Sequence, residues 1–98
     1  MNKYLKLIES LSETGEGYMT CFGNSMTPIL NSGSTLHFKK FDDYEVDDIV
    51  FCRVNGRYID AHLIIKKSNK GFLIANNHGH ENGWTKTIYG KVIGVNNE

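Results

Sequence analysis

Between residues 2 and 13, apolar side chains fall at Tyr4, Leu5, Ile8 and Leu11, with Lys3, Lys6, Glu9, Ser10 and Ser12 between them. This spacing predicts a helix with one apolar face. Thr14-Gly15-Glu16-Gly17 ends it, because glycine readily takes the left-handed turn that closes a helix. Beyond this point the period shortens to two. Residues 18–22 suit a short strand, and 35–40 alternate with Leu36 and Phe38 inward. Residues 49–54 and 57–65 flank Asn55-Gly56, the preferred two-residue hairpin turn. A two-residue loop pairs Val54 with Arg57, Cys52 with Ile59 and Ile49 with His62, and places Tyr58, Asp60 and His62 on one face. Residues 72–75 and 87–95 supply two more strands, the last with glycines that suggest a bend or bulge. Residues 76–84 read as a polar loop. One short helix and about six strands predict a mostly β fold. A single domain over residues 1–98 is expected, with the helix in 1–14 and a β core over 18–95.

Composition narrows the function classes. Lysine plus arginine equals aspartate plus glutamate at 11 each. No overall field draws the chain to nucleic acid or a membrane surface, and neither is an expected partner. No run approaches the roughly 20 apolar residues of a membrane helix. The N-terminus lacks the unbroken apolar stretch of a signal peptide. Cys21 and Cys52 do not make a disulfide framework, so a cytoplasmic protein with reduced thiols is expected.

Candidate chemistry centres on Gly23-Asn24-Ser25-Met26-Thr27-Pro28. Gly23 allows backbone geometry that a side chain resists. Pro28 fixes its own φ and holds Thr27 out of helix. The result is a stiff turn presenting one hydroxyl, with Gly23, Asn24, Met26 and Pro28 as its substrate-contacting neighbours. A serine hydroxyl becomes a nucleophile only when a base takes its proton, and the imidazole of His62 suits that task. A carboxylate on the other ring nitrogen would orient it; Asp60 lies two residues away, about 7 Å along the strand. Backbone amides around Ser25 would supply an oxyanion hole. A second cluster, His78-Gly79-His80-Glu81, lacks the spacing of a zinc site, and no phosphate-binding glycine loop occurs, so no metal and no cofactor are expected. The acidic stretch 42–48 matches no calcium-loop pattern and reads as a solvated loop.

Taken in order, these pieces resemble the catalytic domain shared by signal peptidases and LexA-type self-cleaving repressors. Residues 23–28 are similar to the Gly-(Asp/Asn)-Ser-Met-x-Pro nucleophile box of that superfamily. Residues 31–36 follow as its turn and strand, Val46-Asp47-Asp48-Ile49-Val50 resembles Val-Gly-Asp-Ile-Val, Ala61-His62-Leu63-Ile64 resembles the base-bearing strand, and residues 90–94 resemble the closing Gly-Lys-Val. The resemblance covers roughly residues 18–95. It implies coiled antiparallel β-sheets and a serine peptidase acting on a protein or peptide substrate. It also implies a histidine base at His62, as in the archaeal and endoplasmic-reticulum signal peptidases, where the bacterial and LexA-type proteins use lysine. The aspartate of that branch matches Asn76-Asn77, which makes Asn77 the expected third member, with Asp60 as the alternative. Asp47 replaces the family glycine, and Ser34 replaces the common aspartate after Gly33. No membrane anchor and no DNA-binding domain are expected, the 98 residues contain no Ala-Gly or Cys-Gly cleavage dipeptide, and little tether is expected ahead of the serine box. A free-standing copy of the domain suits a phage or mobile element. The other function implied is a degenerate relative that binds a protein or peptide without cutting it.

Overall fold

A computed structural model describes residues 2–96. Helix α1 spans Lys3–Thr14. The Asn2 side chain caps it by accepting from the Leu5 amide at 2.9 Å, and Gly15 closes it at φ 80, its N–H bonded to the Leu11 carbonyl. The buried residues of this face are Leu7 and Leu11, with Tyr4 and Ile8 beside them. Leu5, expected inside, is 42% exposed. Leu7 seats against Gly17, where an added Cβ would come within 2.7 Å of its Cδ1, so the glycine admits the helix onto the sheet.

Among the described residues seven strands follow: β1 Glu16–Cys21, β2 Ser34–Lys39, β3 Ile49–Val54, β4 Arg57–Ser68, β5 Gly71–Ala75, β6 Glu81–Thr85 and β7 Ile88–Asn96. All pairings are antiparallel, in the order β1-β2-β7-β3-β4-β5-β6. The sheet curls until β6 meets β3: the Thr85 hydroxyl donates to the Arg53 carbonyl at 2.6 Å, and the Arg53 N–H donates to the Thr87 carbonyl at 3.1 Å.

β3 lies at the centre, and Val50, Phe51 and Cys52 are all buried, so the strand is covered on both faces there and runs apolar from Ile49 to Cys52 where a one-sided strand would alternate; Arg53 is exposed. Phe51 faces Leu7, Leu11, Leu36 and Phe38, whereas Val50, Cys52 and Val54 face Ile64 and Ile74. No helix among the described residues is long and apolar enough to cross a membrane.

The hairpin forms at Asn55-Gly56 with Val54 opposite Arg57 and Cys52 opposite Ile59. The register then shifts, so Val50 faces His62 and Ile49 faces Leu63. Three residues of β4 span what two of β3 span, a bulge in β4. This corrects two expectations. Ile49 does not face His62, and the unbroken period of two that put Tyr58, Asp60 and His62 on one face does not hold. The polar stretch expected as a loop over 76–84 also contains most of β6.

Candidate active site

The serine turn is built between β1 and β2. The Gly33 amide donates to the Cys21 carbonyl at 2.8 Å and the Gly23 amide to Ser32 Oγ at 3.0 Å, which closes the loop at its base. Gly23 sits at φ 109, where a Cβ would be strained. Met26 and Leu30 point into the core at 4% and 7% exposure and anchor the turn from below. The Thr27–Pro28 peptide is cis. Within the turn, the Thr27 amide and hydroxyl both donate to the Asn24 carbonyl, at 3.2 Å and 2.9 Å.

A second segment holds the turn from the other side. In the connection between β5 and β6, the Asn77 amide donates to the Ser25 carbonyl at 2.9 Å, and Asn77 Nδ2 donates to the Thr27 carbonyl at 3.0 Å. The ring of His78 meets the Asn24 carbonyl with Nε2 at 3.0 Å. Carbonyls have no proton to give, so that nitrogen carries one. Asn76 stiffens this connection, its Oδ1 accepting from the His78 and His80 amides at 2.8 Å and 2.9 Å.

Ser25 Oγ lies 3.0 Å from His62 Nε2. The other ring nitrogen, His62 Nδ1, lies 2.7 Å from Asn82 Oδ1 on β6. An amide oxygen only accepts, so Nδ1 must donate and is protonated. In the neutral ring Nε2 then carries the lone pair, and the serine O–H donates to it. The polarity of the chain is fixed from Asn82 through His62 to Ser25, the direction needed to withdraw the serine proton.

The expected site residues divide accordingly. Ser25 and His62 come together. Asn77 contacts the serine turn and makes no bond to the imidazole. Asp60 turns to α1, where Lys3 Nζ lies 3.4 Å from its carboxylate and the Tyr4 hydroxyl bonds to it. The β4 bulge falls in this stretch, between Ile59 and His62. The partner of His62 is Asn82, which sequence reasoning missed because it lies in the stretch taken as a loop. Among the described residues, no three His, Cys, Asp or Glu side chains gather as a metal would require.

A pocket of about 240 Å³ opens beside the dyad, between the end of β1, the serine turn and the bulged part of β4. Its wall mixes the apolar side chains of Phe22, Met26, Leu30 and Tyr58 with the polar ones of Ser25, Asn31 and His62, and Asp60 brings a carboxylate to it. Burial, followed by the nearby Asp60 charge, pushes the Cys21 thiol in this wall up to about 12. Burial and then the hydrogen bond to Asp60 push the Tyr4 hydroxyl up to about 12. Both groups stay neutral near pH 7.

A family model described as Peptidase S24-like matches residues 2–94. No curated protein matches the chain significantly.

Proposed function

The chain belongs to the Peptidase S24-like family, and from that premise we propose that it is a serine peptidase working through Ser25 and His62. The carrying observation is the Ser25–His62 contact of 3.0 Å with the imidazole's far nitrogen held by an acceptor. Ser25 Oγ attacks the scissile carbonyl carbon while its proton passes to His62 Nε2. The tetrahedral oxyanion is met by backbone N–H groups of the serine turn, which Asn77 and His78 hold still. Collapse breaks the C–N bond, and the leaving amine takes the proton from Nε2. Water then attacks the acyl-enzyme, with His62 again as base, and releases the acid and Ser25.

Asn82 does part of what a triad carboxylate does. It fixes the tautomer and the ring plane, but it brings no negative charge to the imidazolium that forms in the transition state. The expected enzyme is therefore competent but slow.

A stretch of β4 unpaired along one edge among the described residues supports the reading of an extended substrate. β4 begins at Arg57, yet its pairing with β5 starts only at Leu63. Residues 57–62 thus have β3 on one side and, among the described residues, no strand on the other. A peptide adding there as a strand would bring its backbone past Ser25.

The test is labelling by a fluorophosphonate probe. The parent should label, Ser25→Ala should not, and His62→Ala should label on the order of a hundredfold more slowly. Labelling that persists in both variants would sink the dyad. A folded parent that never labels would favour a peptide-binding relative that has lost its chemistry.

A further inference from the structure

The pocket beside Ser25 contains an arrangement that the dyad does not use. Among the described residues, Asp60 is the one carboxylate in its wall, and no lysine or arginine lines it. The chain's own Lys3 reaches this carboxylate from α1. Its ammonium lies 3.4 Å from Asp60 Oδ2, donates to the Thr20 carbonyl at 3.1 Å and sits 5.5 Å from the centre of the Phe22 ring. A carboxylate, a carbonyl and an aromatic face are the three groups that together favour an ammonium. Phe22 and Tyr58, both in the pocket wall, add aromatic surface for the alkyl stem of a long basic side chain.

Lys3 holds this position weakly. Its distance to Asp60 exceeds that of a charge-assisted hydrogen bond, its side chain is 40% exposed, and it pivots on the first residue of a helix. The carboxylate itself is more sheltered, at 24% exposure, and its charge reaches into the wall, where it helps keep Cys21 protonated.

We propose that Asp60 forms a cation subsite that selects a lysine or arginine beside the scissile bond, and that Lys3 occupies it until the substrate's side chain displaces it. The inference rests on the peptidase reading for its substrate but not for its binding chemistry. The pocket volume accommodates one long side chain, and the carboxylate rejects an acidic one by like-charge repulsion.

Binding and turnover test it separately. Fluorescent extended peptides that differ at one position, carrying lysine, norleucine or glutamate, are titrated against Ser25→Ala by anisotropy. The lysine peptide should bind on the order of tenfold tighter than the norleucine peptide, and the glutamate peptide more weakly than either. Asp60→Asn, which keeps the shape, should abolish the lysine advantage. Lys3→Ala should enlarge it, because the internal competitor is gone. Equal affinity for lysine and norleucine peptides, unmoved by either substitution, would overturn the subsite. Charge-dependent binding without turnover by the parent would overturn the peptidase reading and leave the subsite standing. Turnover by the parent with no charge preference would do the reverse.

Discussion

Asn82 Oδ1 lies 2.7 Å from His62 Nδ1, so a neutral amide stands behind the imidazole that faces Ser25. Orientation and charge compensation, which a carboxylate supplies together, are here separable. Asn82→Ala removes the orientation and should lower kcat on the order of a hundredfold while KM stays nearly constant. Asn82→Asp keeps the acceptor and adds the missing charge, and should raise kcat by roughly tenfold. Hydrolysis of a fluorogenic peptide by the two variants checks both directions. A fall in Asn82→Asp would mean that the neutral amide is itself required.

The serine turn depends on a segment 50 residues away. Asn77 Nδ2 bonds to the Thr27 carbonyl at 3.0 Å, and His78 Nε2 to the Asn24 carbonyl. Asn77→Leu leaves the Thr27 carbonyl unmet and should cost about 1 kcal/mol in a urea titration. Probe labelling of Ser25 should slow by roughly tenfold, since a loosened turn spends less time within reach of His62. Asn77→Asp puts a charge against that carbonyl and should be worse on both measurements.

Much of this fold can be read from the sequence, and the exceptions share a physical cause. The hairpin at Asn55-Gly56, the alternation around Leu36 and Phe38, and the helix stop at Gly15 are local signals, and local chemistry decides them. β6 carries no such signal. Glu81-Asn82-Gly83 is polar, and Gly83 sits at φ 130 close to Val54. It is a strand because the curled sheet brings it beside β5 and Thr85 bonds to β3. Asn82 was hidden with it. The β4 bulge is similarly invisible to a period of two, and it shifts the register between Ile59 and His62. Asp47 shows the converse: it sits at φ 78, which gives a conformational reason for glycine in the pattern its segment resembles.

Alkaline pH should unfold the protein earlier than its ordinary residues would suggest. Burial pushes the Cys52 thiol from the usual 9.0 up to about 12. Burial and then Asp60 do the same to Cys21, and burial with the Asp60 hydrogen bond raises Tyr4 from 10.0 to about 12. Each group's folded value lies above its unfolded value, so the unfolded chain loses its proton first. The stability these groups contribute is whole below pH 9 and drains away as pH rises toward 12. Urea midpoints measured across this window should fall steadily. Cys21→Ala should flatten the slope, and an unchanged slope in that variant would remove Cys21 from the account.

Phe51 joins the core to the pocket. It is fully buried on β3, and its ring lies 4.9 Å from Tyr89, 5.9 Å from Tyr4 and 6.2 Å from Tyr58. Tyr4 carries the bond to Asp60, and Tyr58 lines the pocket, so both ends of the cation subsite lean on this ring. Phe51→Ala should cost about 3–5 kcal/mol, the usual range for an emptied aromatic core position. Phe51→Leu fills most of the space and should cost less, about 1–2 kcal/mol by the same transfer and cavity terms. In the milder variant the domain stays folded, yet Tyr4 and Tyr58 lose the surface that positions them. Its preference for a lysine peptide over a norleucine peptide should therefore shrink even where labelling of Ser25 is retained. An intact preference in a destabilised Phe51→Leu would show that the subsite is held by the sheet backbone alone.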